Sequence, residues 1–323
     1  MLRRIPVERE GVLVIGSANM DMAVYTERFP APGETVLGKQ FAMFPGGKGT
    51  NQAVCCAKLG SRTLFIGKMG NDLFRERLCG SMERNGVNLE HLLIDPDEPT
   101  GVALITVDGR GQNQIVVASG SNMKLSPADI EEKRALFSAV KIVLAQLESP
   151  LETVMAAARL ANENGCIFIL NPAPAAPLPL ELLQQVDFLT PNETELEMIS
   201  GMAAADPESA AKAARSLLNR GIGHVIVTLG ERGALLVDQS MEKLFPARKV
   251  AVVDSTAAGD AFNGALAHSL ASGAGLNEAI EFANAVGSFS VTRKGAQSAM
   301  PSPEEIDAFI RNNPGVKGMG QGV

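Results

Sequence analysis

From Ser126 onward the chain alternates short apolar runs with helical stretches, and this alternation leaves few folds open. Lys141 to Leu147, Cys166 to Leu170, Val186 to Leu189 and His224 to Val227 read as strands. Leu151 to Asn164 and Pro207 to Arg220 read as the helices between them. A repeated strand–helix–strand pattern of this kind predicts a mostly parallel, doubly wound α/β sheet covered by helices on both faces, a three-layer arrangement. Upstream, Val12 to Ala18 and Thr63 to Gly67 add strands and Asp72 to Arg84 a helix. Val250 to Val253 reads as a further strand. With 46% of its residues apolar, the 323-residue chain can bury a large core. Its length fits one large domain, or one domain and a small appendage.

Two stretches stand outside this pattern. Met22 to Phe44 contains strand-like runs around a Pro30-Ala31-Pro32-Gly33-Glu34 turn. Gly101 to Val107 and Gln114 to Ala118 flank Asp108-Gly109-Arg110-Gly111, a strong hairpin signal. Few of these residues are core-forming, so 22–44 and 101–118 are expected to make a small flap.

Asn19, Asp21, Glu148, Asn171, Asn192, Thr228 and Asp254 all fall at the carboxyl ends of predicted strands, the edge where open α/β sheets bind ligands. Asn and Asp are common in loops and caps, so one such residue means little. Seven at one edge suggest a site.

The richest stretch runs from Asp254 to Leu266. After Asp254-Ser255-Thr256-Ala257-Ala258-Gly259-Asp260, the residues Phe262, Ala265, Leu266, Ser269 and Leu270 recur at helical spacing. The small residues therefore form a turn and the first turn of a helix, where free N–H groups and the helix dipole suit an anion. A carboxylate at Asp260 repels phosphate there, and makes sense as the group that takes a proton from an attacking hydroxyl. A helix-capping Asp in an ordinary turn would look the same. Gly46-Gly47-Lys48-Gly49-Thr50-Asn51 opens a helix to about Leu59. It is not a Walker A loop, because Ala42 and Gly49 stand where that motif needs Gly and Ser or Thr. From spacing alone Lys48 reads as a solvated helix-start residue rather than a ligand contact. A helix over Asn277 to Thr292 places Asn284 beside an apolar face.

The formal net charge is −7 with no long basic block, which argues against nucleic acid as a partner. No apolar run is long enough for a bilayer, and Met1 to Gly11 lacks the apolar core of a secretory signal, so a cytoplasmic location is expected. Cys55, Cys56, Cys79 and Cys166 form no disulfide framework. His91, His224 and His268 lack metal-site spacing.

Pro45-Gly46-Gly47-Lys48-Gly49-Thr50-Asn51-Gln52-Ala53 and Asp254 to Asp260 resemble the two signatures of the ribokinase-like sugar kinases, the pfkB carbohydrate kinases. Further segments are similar to the same family: Gly16 to Asp21, Gln146 to Pro150, Asn171 to Ala175, Pro191 to Glu195 and Val291 to Gln297. The resemblance covers nearly the whole chain. It implies a single ribokinase-like α/β domain over 1–323, with the flap segments as a lid that also forms a homodimer contact. It implies transfer of phosphate from ATP to the primary hydroxyl of D-ribose. Asp260 would be the base, and Ala257, Ala258, Gly259 and Asp260 the anion hole. Asn19, Asp21, Gly47, Lys48, Asn51 and Glu148 would hold the sugar. Asn192 and Glu195 would serve the phosphates, Glu195 reaching Mg²⁺ through water. Thr228, Gly230, Gly233, Gly259 and Asn284 would line the nucleotide site. Asp254, Thr256, Ser290, Arg293 and Gly295 would bind an activating K⁺, largely through backbone oxygens. Ser255 replaces the usual Thr, and Ala299 stands near a position where the family tends to have Ser, which puts one cation ligand in question. Another small sugar such as 2-deoxyribose is the alternative acceptor. A nucleoside fits less well, since the flap offers few aromatics. A non-catalytic sugar- or nucleotide-binding protein would have no need of Asp260.

Overall fold

The computed structural model describes residues 9–314. The expectations for the charged N-terminal segment and for most of the glycine-rich tail after Asn312 lie outside the described residues. In chain order the strands are β1 (Val12–Ile15), β2 (Asn19–Tyr25), β3 (Gln40–Gly46), β4 (Thr63–Ile66), β5 (Lys68–Gly70), β6 (Val87–Asn88), β7 (Leu93–Asp95), β8 (Gly101–Val107) and β9 (Asn113–Ala118). They continue with β10 (Ile142–Ala145), β11 (Ile167–Leu170), β12 (Phe188–Leu189), β13 (His224–Thr228), β14 (Ala234–Val237) and β15 (Glu242–Phe245). The helices are α1 (Lys48–Lys58), α2 (Leu73–Arg84), α3 (Pro127–Glu132), α4 (Leu151–Glu163), α5 (Leu180–Leu183), α6 (Glu193–Ser200), α7 (Pro207–Leu218), α8 (Ala258–Ala271), α9 (Leu276–Ser290) and α10 (Pro303–Asn312).

Nine strands form one sheet in the order β15-β14-β13-β12-β11-β10-β1-β4-β6. From β13 to β6 its pairs are parallel, with β1 between β10 and β4. Strands such as Val12-Leu13-Val14-Ile15 are buried on both faces, which a parallel sheet between helix layers demands. Alternate residues feed two cores. Leu13 and Ile15 pack with α4 and α7, and Val12 and Val14 with α1, α8 and α9. Helix starts are written locally: Asp206-Pro207 and Ser302-Pro303 each combine a side-chain cap with Pro in the first turn.

A second sheet, β3-β2-β8-β9, is built from the predicted flap stretches. Its β2–β3 and β8–β9 pairs are antiparallel, and the central β2–β8 pair is parallel. Phe41, Leu104 and Val116 are exposed, the last two facing each other across the β8–β9 pair.

Some expectations are corrected. Val250–Val253 is not a strand: Val252 and Val253 are exposed, and the Val253 and Asp254 N–H groups donate to Val291 O at the end of α9 instead of to a neighbouring strand. Asp254 therefore does not end a strand. β1 stops at Ile15, and Asn19 and Asp21 belong to β2 in the small sheet. Sequence reading passed over β14, β15, α6 and the two-stranded β5–β7 sheet.

Candidate active site

The turn after β1, the start of α1, the loop after β10 and the start of α8 meet at one place. Gly47 caps α1 with φ +91, and a Cβ there would lie 2.6 Å from Asn19 N. Only glycine lets the helix begin this close to the strand. Asn51 and Gln52 in its first turns point across to α8. Each carboxylate oxygen of Asp260 accepts one amide hydrogen bond: Oδ2 from Asn51 Nδ2 and Oδ1 from Gln52 Nε2, both 2.9 Å. Asp260 is buried, and burial raises its pKa, while Lys48, Asn51 and Gln52 pull the other way.

Lys48 is not the solvated residue that spacing favoured. Burial works against its ammonium, but the carboxylates of Asp260, Glu148 and Glu195 outweigh burial and raise its pKa. Its backbone N–H donates to Glu148 Oε2 at 3.0 Å, and Ser17 Oγ donates to the same oxygen. Asp21 lies over Gly46, where a Cβ would come within 2.2 Å of its carboxylate. Burial first, then Glu148 and Asp260, push the Asp21 pKa up to about 7. Asn122 clamps the turn, accepting from Ala18 N and donating to Ala18 O and Asn19 Oδ1. With its Oδ1 so occupied, Asn19 presents its NH₂ to the site.

The first turn of α8 opens at Ala257, the one non-glycine with positive φ (58) among the described residues. The Gly259 and Asp260 N–H groups have no acceptor among the described residues, and nothing lies within 4 Å of where a Gly259 Cβ would point. This is an open, donor-rich helix start beside a carboxylate. Asn192 and Glu195 form a capping box on α6: Asn192 Oδ1 accepts from Glu195 N, and Glu195 accepts from Asn192 N and Nδ2. Burial raises the Glu195 pKa. Thr228 ends β13 and bridges to Asn192. Gly230 and Gly233 follow it, and the Phe245 carbonyl lies against both Gly233 and Asn284, whose Nδ2 donates to it at 2.9 Å.

The residues expected at a monovalent cation also converge. Asp254 Oδ1 accepts from Thr256 N and Oδ2 from Gly295 N, each 2.9 Å, so its carboxylate ties the turn before α8 to the loop after α9. Burial raises its pKa, but these hydrogen bonds win and hold it below the usual range. Ser290 Oγ donates to Gly287 O. The Arg293 side chain turns away, to Glu305 and over the Phe289 ring, leaving only its backbone facing this loop. Ala299 is buried, but Ser298 Oγ donates to Lys294 O and lies beside Gly295. A hydroxyl is thus one residue from the place where it was missed.

Sequence reasoning missed Ser17, Gln52, Gln146, Asn122, Thr190 and Asn263, all buried polar residues in or beside the site. A resemblance that named Gln52 within a motif gave it no role.

The model of the "pfkB family carbohydrate kinase" matches residues 9–303. A ribokinase of Haemophilus influenzae is 38% identical over 94% of this chain and 99% of that protein. A deoxyribokinase of Salmonella typhi is also 38% identical, over 94% of this chain and 99% of that one. Among solved structures, Arabidopsis thaliana ribokinase complexed with ribose and ATP superposes with a TM-score of 0.89 at 34% identity, over 94% of this chain and 99% of that one.

Proposed function

Because the chain belongs to the pfkB family of carbohydrate kinases, we propose that it transfers the γ-phosphoryl group of ATP to the primary hydroxyl of D-ribose. One observation carries the reading: a buried carboxylate, Asp260, stands at an open helix start whose Gly259 and Asp260 N–H groups have no acceptor among the described residues. Asp260 takes the hydroxyl proton, the new O–P bond forms, and the bond from phosphorus to the β,γ-bridging oxygen breaks to release ADP. The Gly259 and Asp260 N–H groups and Lys48 stabilise the charge on the transferring group. Asn19 donates to the sugar and Asp21 accepts from it; Asn51 and Glu148 complete the sugar pocket around Gly47. Thr228, Gly230, Gly233 and Asn284 hold the nucleotide.

The family implies Mg²⁺ with ATP, and the residues fit it: Glu195, kept in place by its capping box, would hold the ion's hydration shell beside the phosphates. The loop joined by Asp254 fits K⁺, with oxygen donors from Asp254, Thr256, Ser290, Arg293 and Gly295. A K⁺ there would fix the backbone of the α8 turn and add positive charge. The small sheet acts as a lid and joins two copies through its exposed apolar face. ATP as co-substrate puts the reaction in the cytoplasm.

The relatives' names divide between ribose and deoxyribose, so the acceptor rests on Asp21 and Asn19. Removing the 2-hydroxyl leaves part of the half-buried Asp21 carboxylate unpaired. One hydrogen bond to a charged group contributes about 1.5–3 kcal/mol, or roughly ten- to a hundredfold in kcat/KM. D-ribose is expected to exceed 2-deoxyribose by at least about tenfold, and Asp21→Ala to erase most of that preference. Equal efficiency on both sugars in the wild type would leave the family standing and overturn the acceptor.

A further inference from the structure

A chain of buried amides and hydroxyls runs behind Asp260. Gln146 Nε2 donates to Gln52 Oε1 at 2.6 Å. With its oxygen so occupied, Gln52 must turn its NH₂ the other way, where it donates to Asp260 Oδ1 at 2.9 Å and to Asn171 Oδ1 at 3.0 Å. Asn171 Nδ2 donates to Thr190 O, and Thr190 Oγ1 donates to Asn263 Oδ1 at 2.6 Å. Asn263 Nδ2 then donates to Gly259 O at 2.9 Å. The chain thus starts just after β10, passes through α1 at Gln52 and ends in the first turn of α8, whose N–H groups are the proposed anion hole. Gln52, Gln146, Asn171, Thr190 and Asn263 are all buried, and the Thr190 and Gly259 carbonyls fix the Asn171 and Asn263 amides while Asp260 fixes that of Gln52.

Asn51 differs. Its Oδ1 is buried without a partner, so it has capacity for a sugar hydroxyl and can trade its bond to Asp260 Oδ2 for one. Gln52 has no spare group to trade.

We infer that Gln52 is a positioning residue that pins Asp260 Oδ1, so that Oδ2 alone is presented to the acceptor hydroxyl, and that the Asn171–Thr190–Asn263 relay holds base and anion hole in one register. The inference rests on the kinase reading of Asp260 above. Gln52 does not touch substrate in this scheme. Its second effect is on charge, since its N–H favours the ionised form of a group that burial would otherwise neutralise. The other groups facing Asp260 are Lys48 and Cys55 from α1, Glu148 from the loop after β10, Asp21 from β2 and Glu195 from α6.

The test compares wild type with Gln52→Met, which keeps the shape and removes both donors. Sugar affinity is measured by calorimetry without ATP, and kcat at saturating sugar and ATP from about pH 5.5 to pH 9. The expected result is a kcat at pH 7 lower by about ten- to a hundredfold, the range for one lost hydrogen bond to a buried charge, with sugar affinity kept within about threefold. The acid limb of the kcat profile moves up by about one unit, so the deficit narrows at high pH. A deficit equal at every pH, or one matched by an equal loss of sugar affinity, would make Gln52 merely structural and overturn the inference. If Gln52→Met does not fold, Gln146→Met decides the matter. It removes the donor that holds Gln52 Oε1 and so loosens the amide that faces Asp260 Oδ1. A smaller shift in the same direction supports the inference, and an unmoved profile refutes it. If wild type itself transfers no phosphate to any sugar, the kinase reading fails and takes this inference with it, whereas an unshifted profile in an active enzyme overturns this inference alone.

Discussion

Sugar binding should release a proton from Asp21. Burial, Glu148 and Asp260 push its pKa up to about 7, so in the sugar-free protein it is protonated well below pH 7 and ionised well above. In the proposed sugar pocket, ribose hydroxyls would donate to the ionised form. One such bond contributes about 1.5–3 kcal/mol, which lowers the pKa in the complex by about one to two units, to about 5–6. The sign follows by linkage. Below the lower value both states are protonated and affinity is flat. Between the two the complex holds fewer protons, so affinity rises with pH. Above the higher value it is flat again. The dissociation constant for D-ribose should fall about eight- to fiftyfold from pH 5 to pH 8, and binding at pH 6 should release about half a proton or more. Calorimetry in two buffers of different ionisation enthalpy measures both. Asp21→Asn should bind weakly and without this dependence. A wild-type dissociation constant that is flat across the range, or that falls on acidification, would refute the reasoning.

Two further outcomes follow from the proposed function. Activity should be higher in K⁺ than in Na⁺ at matched ionic strength, because the Asp254-linked loop abuts the α8 turn; equal rates in K⁺, Na⁺ and a bulky organic cation would remove the cation site. Sedimentation at micromolar concentration should show a dimer, and Leu104→Asp in the exposed face of the small sheet should weaken it; a fully active wild-type monomer would count against the lid contact.

The sequence made legible those features that one short stretch determines. The α/β alternation followed from buried strands that read as apolar runs, as in β10 and β13. The two glycine-rich turns were legible because their backbones tolerate few other residues, Gly47 most plainly. What escaped was built from ordinary polar residues far apart in the chain. Asn122 reaches Asn19 across 103 positions, and Gln52 reaches Asp260 across 208. No spacing rule links such pairs, and a lone Gln or Asn in a helix carries no signal of its own. Lys48 was misread for the same reason: its setting comes from Glu148, Glu195 and Asp260, which lie on three other segments. Val250–Val253 misled in the opposite way, because apolar residues there face solvent and the chain's hydrogen bonds go to the end of α9. The α6 start was a missed opportunity, since Asn192 and Glu195 have the spacing of a capping box.

The central claim is that Asp260 takes the proton from a sugar hydroxyl as phosphate is transferred. Its most direct test is kcat for ATP-dependent phosphorylation of D-ribose in wild type and Asp260→Asn, with the product located by phosphorus NMR. Asn keeps the shape but cannot accept the proton, so kcat should drop by about 10²–10⁴ while sugar and ATP still bind, and the wild-type product should carry phosphate on the primary carbon. A variant that turns over at nearly the wild-type rate would contradict the claim.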